Sequence, residues 1–130
     1  MTLSSALGSH DLGAVLDALV QHNFHAVMVT LAQAKTPIIY VNDAFADLTG
    51  YTTEETIGKS PSFLQGPATD EKVLDRLRED MSAGRVFEGK AINYRKDGSA
   101  FTMLWRVVPV KDAAGKPVYF IAFQQESPSE

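Results

Sequence analysis

Three amide side chains are the groups in this sequence best suited to recognise a ligand: Gln65 in Phe63-Leu64-Gln65, Asn93 in Ile92-Asn93-Tyr94 and Gln124 in Ala122-Phe123-Gln124. Each stands in an apolar run, and a buried amide left unpaired costs about 1–3 kcal/mol. Side chains alternate faces along a strand. That parity puts Phe87, Gly89, Ala91 and Asn93 on one face of one segment, and Phe101, Met103, Trp105 and Val107 on one face of the next. Val118, Phe120, Ala122 and Gln124 share a face of the last. The result is an apolar wall with two amides set into it. Either these amides bond each other or nearby backbone, or they meet a ligand with polar edges and a flat apolar body. In the second case Gln65, in the Gly- and Pro-rich stretch GKSPSFLQGPATD (58–70), faces the same cavity from the helical side. By residue type alone Met103 and Trp105 read as core, and Arg78, flanking the stripe Val73-Leu77-Met81, as a surface arginine laying its stem along a helix.

Other chemistry finds no support. The 130 residues include no cysteine, which removes disulfides, thiolate nucleophiles and cysteine metal sites together. His22 and His25 are spaced i, i+3 without a third ligand nearby, so no metal site is expected. The sequence has no nucleophile-elbow, zinc-protease, phosphate-loop or dinucleotide fingerprint, and Glu54-Glu55 and Glu79-Asp80 read as solvated helix faces. The chain is therefore not expected to be an enzyme. A net charge of −4 gives no reason to seek nucleic acid or an anionic membrane surface. There is no apolar run of about 18 residues and no signal-peptide pattern, so a cytoplasmic protein is expected. Apolar residues at 45% and charged residues at 22% suit a single folded domain.

The elements that must position the amides follow from periodicity and punctuation. Leu12, Val15, Leu16, Leu19 and Val20 predict an amphipathic helix from about Asp11 to Gln21, capped by Ser9 or Asp11. Ala26–Thr30 and Pro37–Val41 predict two antiparallel strands. Short helices follow, one started by Asn42 or Asp43 over 44–48 and ending at Gly50, another beyond Thr52 and Thr53, then a stronger one from Asp70 to Ala83 before Gly84. The Asp97-Gly98 turn pairs strands over 86–95 and 100–110, and a last strand spans Pro117–Glu126. This is an α+β domain: a five-stranded antiparallel sheet with short helices on one face and an N-terminal amphipathic helix. The opposite sheet face carries Ile92, Tyr94, Leu104, Val108, Tyr119, Ile121 and Phe123, too apolar to face water. The N-terminal helix, a second copy of the chain, or both must cover it.

The order of these elements, with PIIYVNDAF (37–45), LTGY (48–51), FLQGPATD, INYRKDG and YFIAFQ, resembles the PAS superfamily over about Phe24 to Glu126. Within it the chain looks like the LOV branch of blue-light sensors that bind flavin mononucleotide (FMN). LOV domains carry a GxNCRFLQ motif whose cysteine forms a photo-adduct with the flavin. Across Gly58 to Gln65, Ser60 replaces the Asn, Pro61 the Cys and Ser62 the Arg, while Phe63, Leu64 and Gln65 match. Pro61 has no thiol, so a cysteinyl adduct is chemically excluded.

The resemblance implies that Gln65 bonds the ribityl chain and Arg78 the phosphate. It implies that Asn93 meets the polar edge of the isoalloxazine ring and that Gln124 lies near its N5 and O4. Met103 stands where a second ring-binding Asn is expected, and Trp105 where a smaller ring-packing side chain is usual. Losing one charge-assisted bond, as at Ser62, removes about 1.5–3 kcal/mol, or one to two orders of magnitude in affinity.

The expected function is a sensory signalling PAS domain, LOV-like, binding FMN non-covalently and signalling by flavin photoreduction without an adduct. Trp105 is the first candidate electron donor, ahead of Tyr94 and Tyr51. Gln124 responds by rotating an amide that carries both a donor and an acceptor. The alternative is a cofactor-free PAS module for dimerisation and protein interaction, its pocket filled by Met103 and Trp105. In either case a homodimer is expected through Leu12, Leu16, Leu19 and the outer sheet face. Residues 1–24 form the cap or dimerisation helix, 25–126 the PAS domain and 127–130 a polar tail.

Overall fold

The computed structural model describes residues 1–128, apart from the side chains of Ser9 and His10; the last two positions of the polar tail lie outside the described residues. The elements are α1 (Leu3–Ala6), α2 (Ser9–Gln21), β1 (Ala26–Leu31), β2 (Ile38–Val41), α3 (Asp43–Thr49), α4 (Thr53–Thr56), a 3-10 turn (Pro61–Leu64), α5 (Glu71–Ser82), β3 (Phe87–Tyr94), β4 (Ala100–Lys111) and β5 (Pro117–Glu126).

Short polar side chains start the helices because the first N–H groups of a helix have no partner within it. Asn42 accepts from Phe45 N at α3, and Asp70 from Lys72 N at α5. At α4, Thr52 and Glu55 close a reciprocal capping box. Gly50 ends α3 at φ 80°, a left-handed conformation that glycine adopts without strain. Two N-terminal expectations are corrected. α2 starts at Ser9 with Gly8 in the capping position rather than Ser9 or Asp11, and a further turn, α1, precedes it, closed by a box between Thr2 and Ser5.

The strands form one antiparallel sheet in the order β2-β1-β5-β4-β3. The hairpin read from Asp97-Gly98 pairs Asn93 with Phe101, Ala91 with Met103 and Gly89 with Trp105. Small residues on β3 thus stand opposite large ones on β4. The helices from α3 to α5 cover the inner face, and the core runs through Ile38, Phe45, Leu64, Phe87, Met103, Trp105 and Phe120. Val118, placed on this wall by parity, is exposed, because the strand end runs beyond the helical cover.

Tyr94, read onto the outer face, is instead packed by the roof loop at Gly66 and Ala68, but among the described residues no helix covers the outer faces of β4 and β5. α2 does not fold back over them: Leu16 and Leu19 are 44% and 55% exposed, and Tyr119 and Phe123 remain about as open, at 40% and 38%. Of the two ways to cover the outer sheet within or between chains, self-coverage by α2 is absent. No described helix is long and apolar enough to cross a membrane.

Candidate functional site

The roof of the inner face is built by local chemistry. Proline is favoured at the first position of a helical turn, where its missing N–H costs nothing. Pro61 takes that position in the 3-10 turn, and Ser60 caps it, accepting from Ser62 N. The turn drives Leu64 into the core and sets Phe63 edge-on to Tyr51, with ring centroids 4.9 Å apart. Gln65 ends the turn in extended conformation, half-buried, its side chain forming no hydrogen bond. The next residues are bolted to β3. Thr69 Oγ1 donates to Ile92 O at 2.6 Å while accepting from Gly66 N, and Ala68 N donates to the Tyr94 hydroxyl at 2.9 Å. Gly66 lies so close under the Tyr94 ring that a Cβ would stand 2.3 Å from Cε2.

The floor brings four of the six sequence-nominated residues onto one buried face: Asn93 on β3, Met103 and Trp105 on β4, and Gln124 on β5. Trp105 and Gln124 are direct partners across β4 and β5, and Gln124 is also partnered by Ala26 of β1. Gln65, half-buried at the end of the roof turn, makes no hydrogen bond to any of them. Arg78 does not join them. It lies on the exposed side of α5, bonded to Asp75 at 2.7 Å and near Glu71, so its charge is spent on its own helix.

The two floor amides do not bond each other. Asn93 Nδ2 donates to the Met103 thioether at 3.3 Å, and sulfur there is a weak acceptor. Gln124, 4% exposed, has a buried Oε1 with no hydrogen-bond partner. Met103 is almost wholly buried and Trp105 packs against Phe87 at 5.0 Å, so the wall around these amides is apolar and tightly filled. Two under-used amides on an apolar floor are the donor and acceptor set that the polar edge of a planar ring satisfies. The unpaired Gln124 Oε1 and the weakly paired Asn93 amide suit such a ring edge, whereas Arg78 is paired with Asp75 on the helix surface. A cleft of about 280 Å³ leads towards Gln124 between Phe24 and His25 on one side and Ala44, Asp47 and Leu48 on the other, with Arg95 and Glu126 at its rim. Among the described residues no group of three His, Cys, Asp or Glu can hold a metal ion.

Sequence reasoning missed two features of this region. Arg95 closes the wall by bonding Leu48 O and Glu126 while lying 4.5 Å over the Phe101 ring, a set of contacts distant in sequence. Asn42, read only as a helix start, is a buried hub; an Asn ahead of a short helix gives no sign of its long-range bonds.

Comparison with known proteins accords with this geometry. The family profile described as PAS domain matches residues 26–126. Phototropin-2 of Oryza sativa subsp. japonica is 39% identical over 110 residues, which is 85% of this chain and 12% of that protein. Blue-light-activated histidine kinase 1 of Erythrobacter litoralis is 42% identical over 92 residues, 71% of this chain and 26% of that protein. The chain thus spans between 12% and 26% of the length of these curated relatives. Among solved structures, an RNA-binding Light-Oxygen-Voltage receptor superposes with a TM-score of 0.88 at 28% identity, covering 97% of this chain and 37% of that one. The LOV domain of the Erythrobacter litoralis EL346 blue-light-activated histidine kinase superposes with a TM-score of 0.76 at 31% identity, covering 81% of this chain and 97% of that one.

Proposed function

The chain belongs to the PAS domain family and to its LOV-like branch, and from that premise we propose that it is a blue-light sensory module that holds flavin mononucleotide without a covalent bond and signals through a homodimer. The observation that carries this reading is the orphaned Oε1 of Gln124 on a floor that also underemploys Asn93. When bound, flavin supplies a planar chromophore that accepts an electron under blue light. Gln124 and Asn93 would hold the polar edge of the ring, Gln65 would bond the ribityl chain, and Trp105 would be the first aromatic electron donor. Since Arg78 is engaged by Asp75 and Glu71 and Ser62 replaces an arginine, the phosphate contributes little to affinity. Gln124 can rotate its amide to exchange donor for acceptor, and its backbone is paired with that of Ala26 on β1.

The dimer follows from the open apolar faces. The stripe of α2 and the outer faces of β4 and β5 are each too apolar to stay in water, and α2 does not cover its own sheet. A second copy satisfies both at once.

A specific observation favours a second reading, a cofactor-free interaction module: Met103 and Trp105 already fill the core, and the Met103 sulfur occupies Asn93. One experiment separates the two. The purified chain, reconstituted with FMN, is examined for bound flavin absorbance in the blue. Retention of colour after gel filtration, lost in Gln124→Leu, supports the flavin reading. A chain that stays colourless after reconstitution rejects it and leaves the interaction module.

A further inference from the structure

The sensory reading needs a joint between the domain and α2, and one buried side chain occupies that place. Asn42, 2% exposed, uses every hydrogen-bonding position of its amide. Its Oδ1 accepts from Val27 N at 2.9 Å and Phe45 N at 3.3 Å, tying β1 to the start of α3. Its Nδ2 donates to Val20 O at 2.8 Å and His25 O at 3.0 Å, reaching back to the last turn of α2 and the linker behind it. The acceptor end therefore holds the domain together, and the donor end holds the helix to the domain.

The linker behind the helix is open to solvent. The residues from Gln21 to His25 are exposed, and Phe24 is 98% so. The carbonyl of Val20 lies at a helix end, where carbonyls take partners beyond the helix ladder, and it also accepts from Asn23 N at a long 3.4 Å. The same linker, through Phe24 and His25, forms one wall of the 280 Å³ cleft that leads to Gln124.

We propose that Asn42 is a clasp whose two donor bonds set the direction of α2, and that release of this clasp is how a change at Gln124 reaches the dimer-forming helix. The path is short: Gln124 partners Ala26, and Ala26 lies between the two groups Asn42 holds, His25 O and Val27 N. Asn42 is a positioning residue and touches no ligand. The inference deepens the sensory reading and rests on it for its purpose, but its test does not require flavin.

The chain has no cysteine, so introduced cysteines report without ambiguity. Spin labels at Ala18→Cys on α2 and Glu54→Cys on α4, both exposed positions, read the intrachain distance when labelled chains are diluted into unlabelled ones. The otherwise native chain is expected to give a single narrow distance peak. Asn42→Asp keeps both acceptor bonds but loses both donors and sets a carboxylate against two carbonyl oxygens, so the narrow peak is lost. Asn42→Ser, which still caps α3 but cannot reach Val20, gives the same loss and guards against misfolding of the first variant. Thr49→Val, which removes a buried bond from Thr49 Oγ1 to Phe45 O on the same helix, lowers the melting temperature and leaves the peak narrow. A broad distribution in the native chain, or a narrow one in both Asn42 variants, overturns the clasp. Loss of colour without any change in these distances would instead count against the flavin reading alone.

Discussion

At the scale of single residues, the floor turns on which acceptor Asn93 uses. Met103→Asn replaces the thioether beside Asn93 by an amide, and one neutral hydrogen bond contributes about 0.5–1.5 kcal/mol. If the domain holds flavin, FMN titrated into the variant should bind about 2- to 10-fold more tightly. If the core is simply filled, the same variant loses about 1–3 kcal/mol of stability to denaturant and takes up no flavin. A second residue gives a pH signature. Glu55 bonds the Lys96 ammonium and, through its capping box, Thr52 N, and these lower its pKa from 4.5 to about 2. The folded value lies below the unfolded one, so the stabilisation is present above the ordinary carboxylate range and is lost as pH falls towards 2. Melting curves of Glu55→Gln should therefore lie below the native ones at neutral pH, and the gap should close between about pH 4.5 and 2.

Among the elements, the roof loop is the one with least freedom. A methyl at Gly66 would stand 2.3 Å from the Tyr94 ring, whose hydroxyl accepts from Ala68 N. Gly66→Ala must push the ring aside and break that bond, and overpacking of this kind costs about 1–3 kcal/mol. Chemical denaturation should show the loss, and hydrogen exchange should quicken at Ala68 while β1 and β2 stay protected. The 3-10 turn makes a different point. Its opening residue is a proline, whose missing N–H costs nothing at that position, and Ser60 caps it.

For the whole molecule, the open surfaces decide the behaviour. Leu16 and Leu19 on α2 and Tyr119 and Phe123 on the sheet leave two apolar faces that one chain does not bring together. Light scattering of the full chain should report a dimer, and removal of residues 1–24 should shift it to monomer while the PAS sheet persists by circular dichroism. A truncated chain that remains dimeric would assign association to the sheet alone.

Much of this was readable from the residues. Strand parity sorted Asn93, Met103, Trp105 and Gln124 onto one face, because a strand repeats every two residues whatever it packs against. The Asp97-Gly98 turn set the register of β3 and β4, because turn geometry fixes register locally. The absence of cysteine settled the absence of an adduct. What only the tertiary structure decided are matters of direction between distant elements. Arg78 turned to carboxylates of its own helix, the Asn93 amide settled on sulfur, and α2 left its own sheet uncovered. Asn42 is the plainest case: the sequence marks it as a helix cap, a bond three residues long, while its bonds to Val20 and His25 span 22 and 17 residues. Local periodicity places a side chain on a face, but the partner it finds there depends on how the remote segments close around it, and that is a property of the packed chain alone.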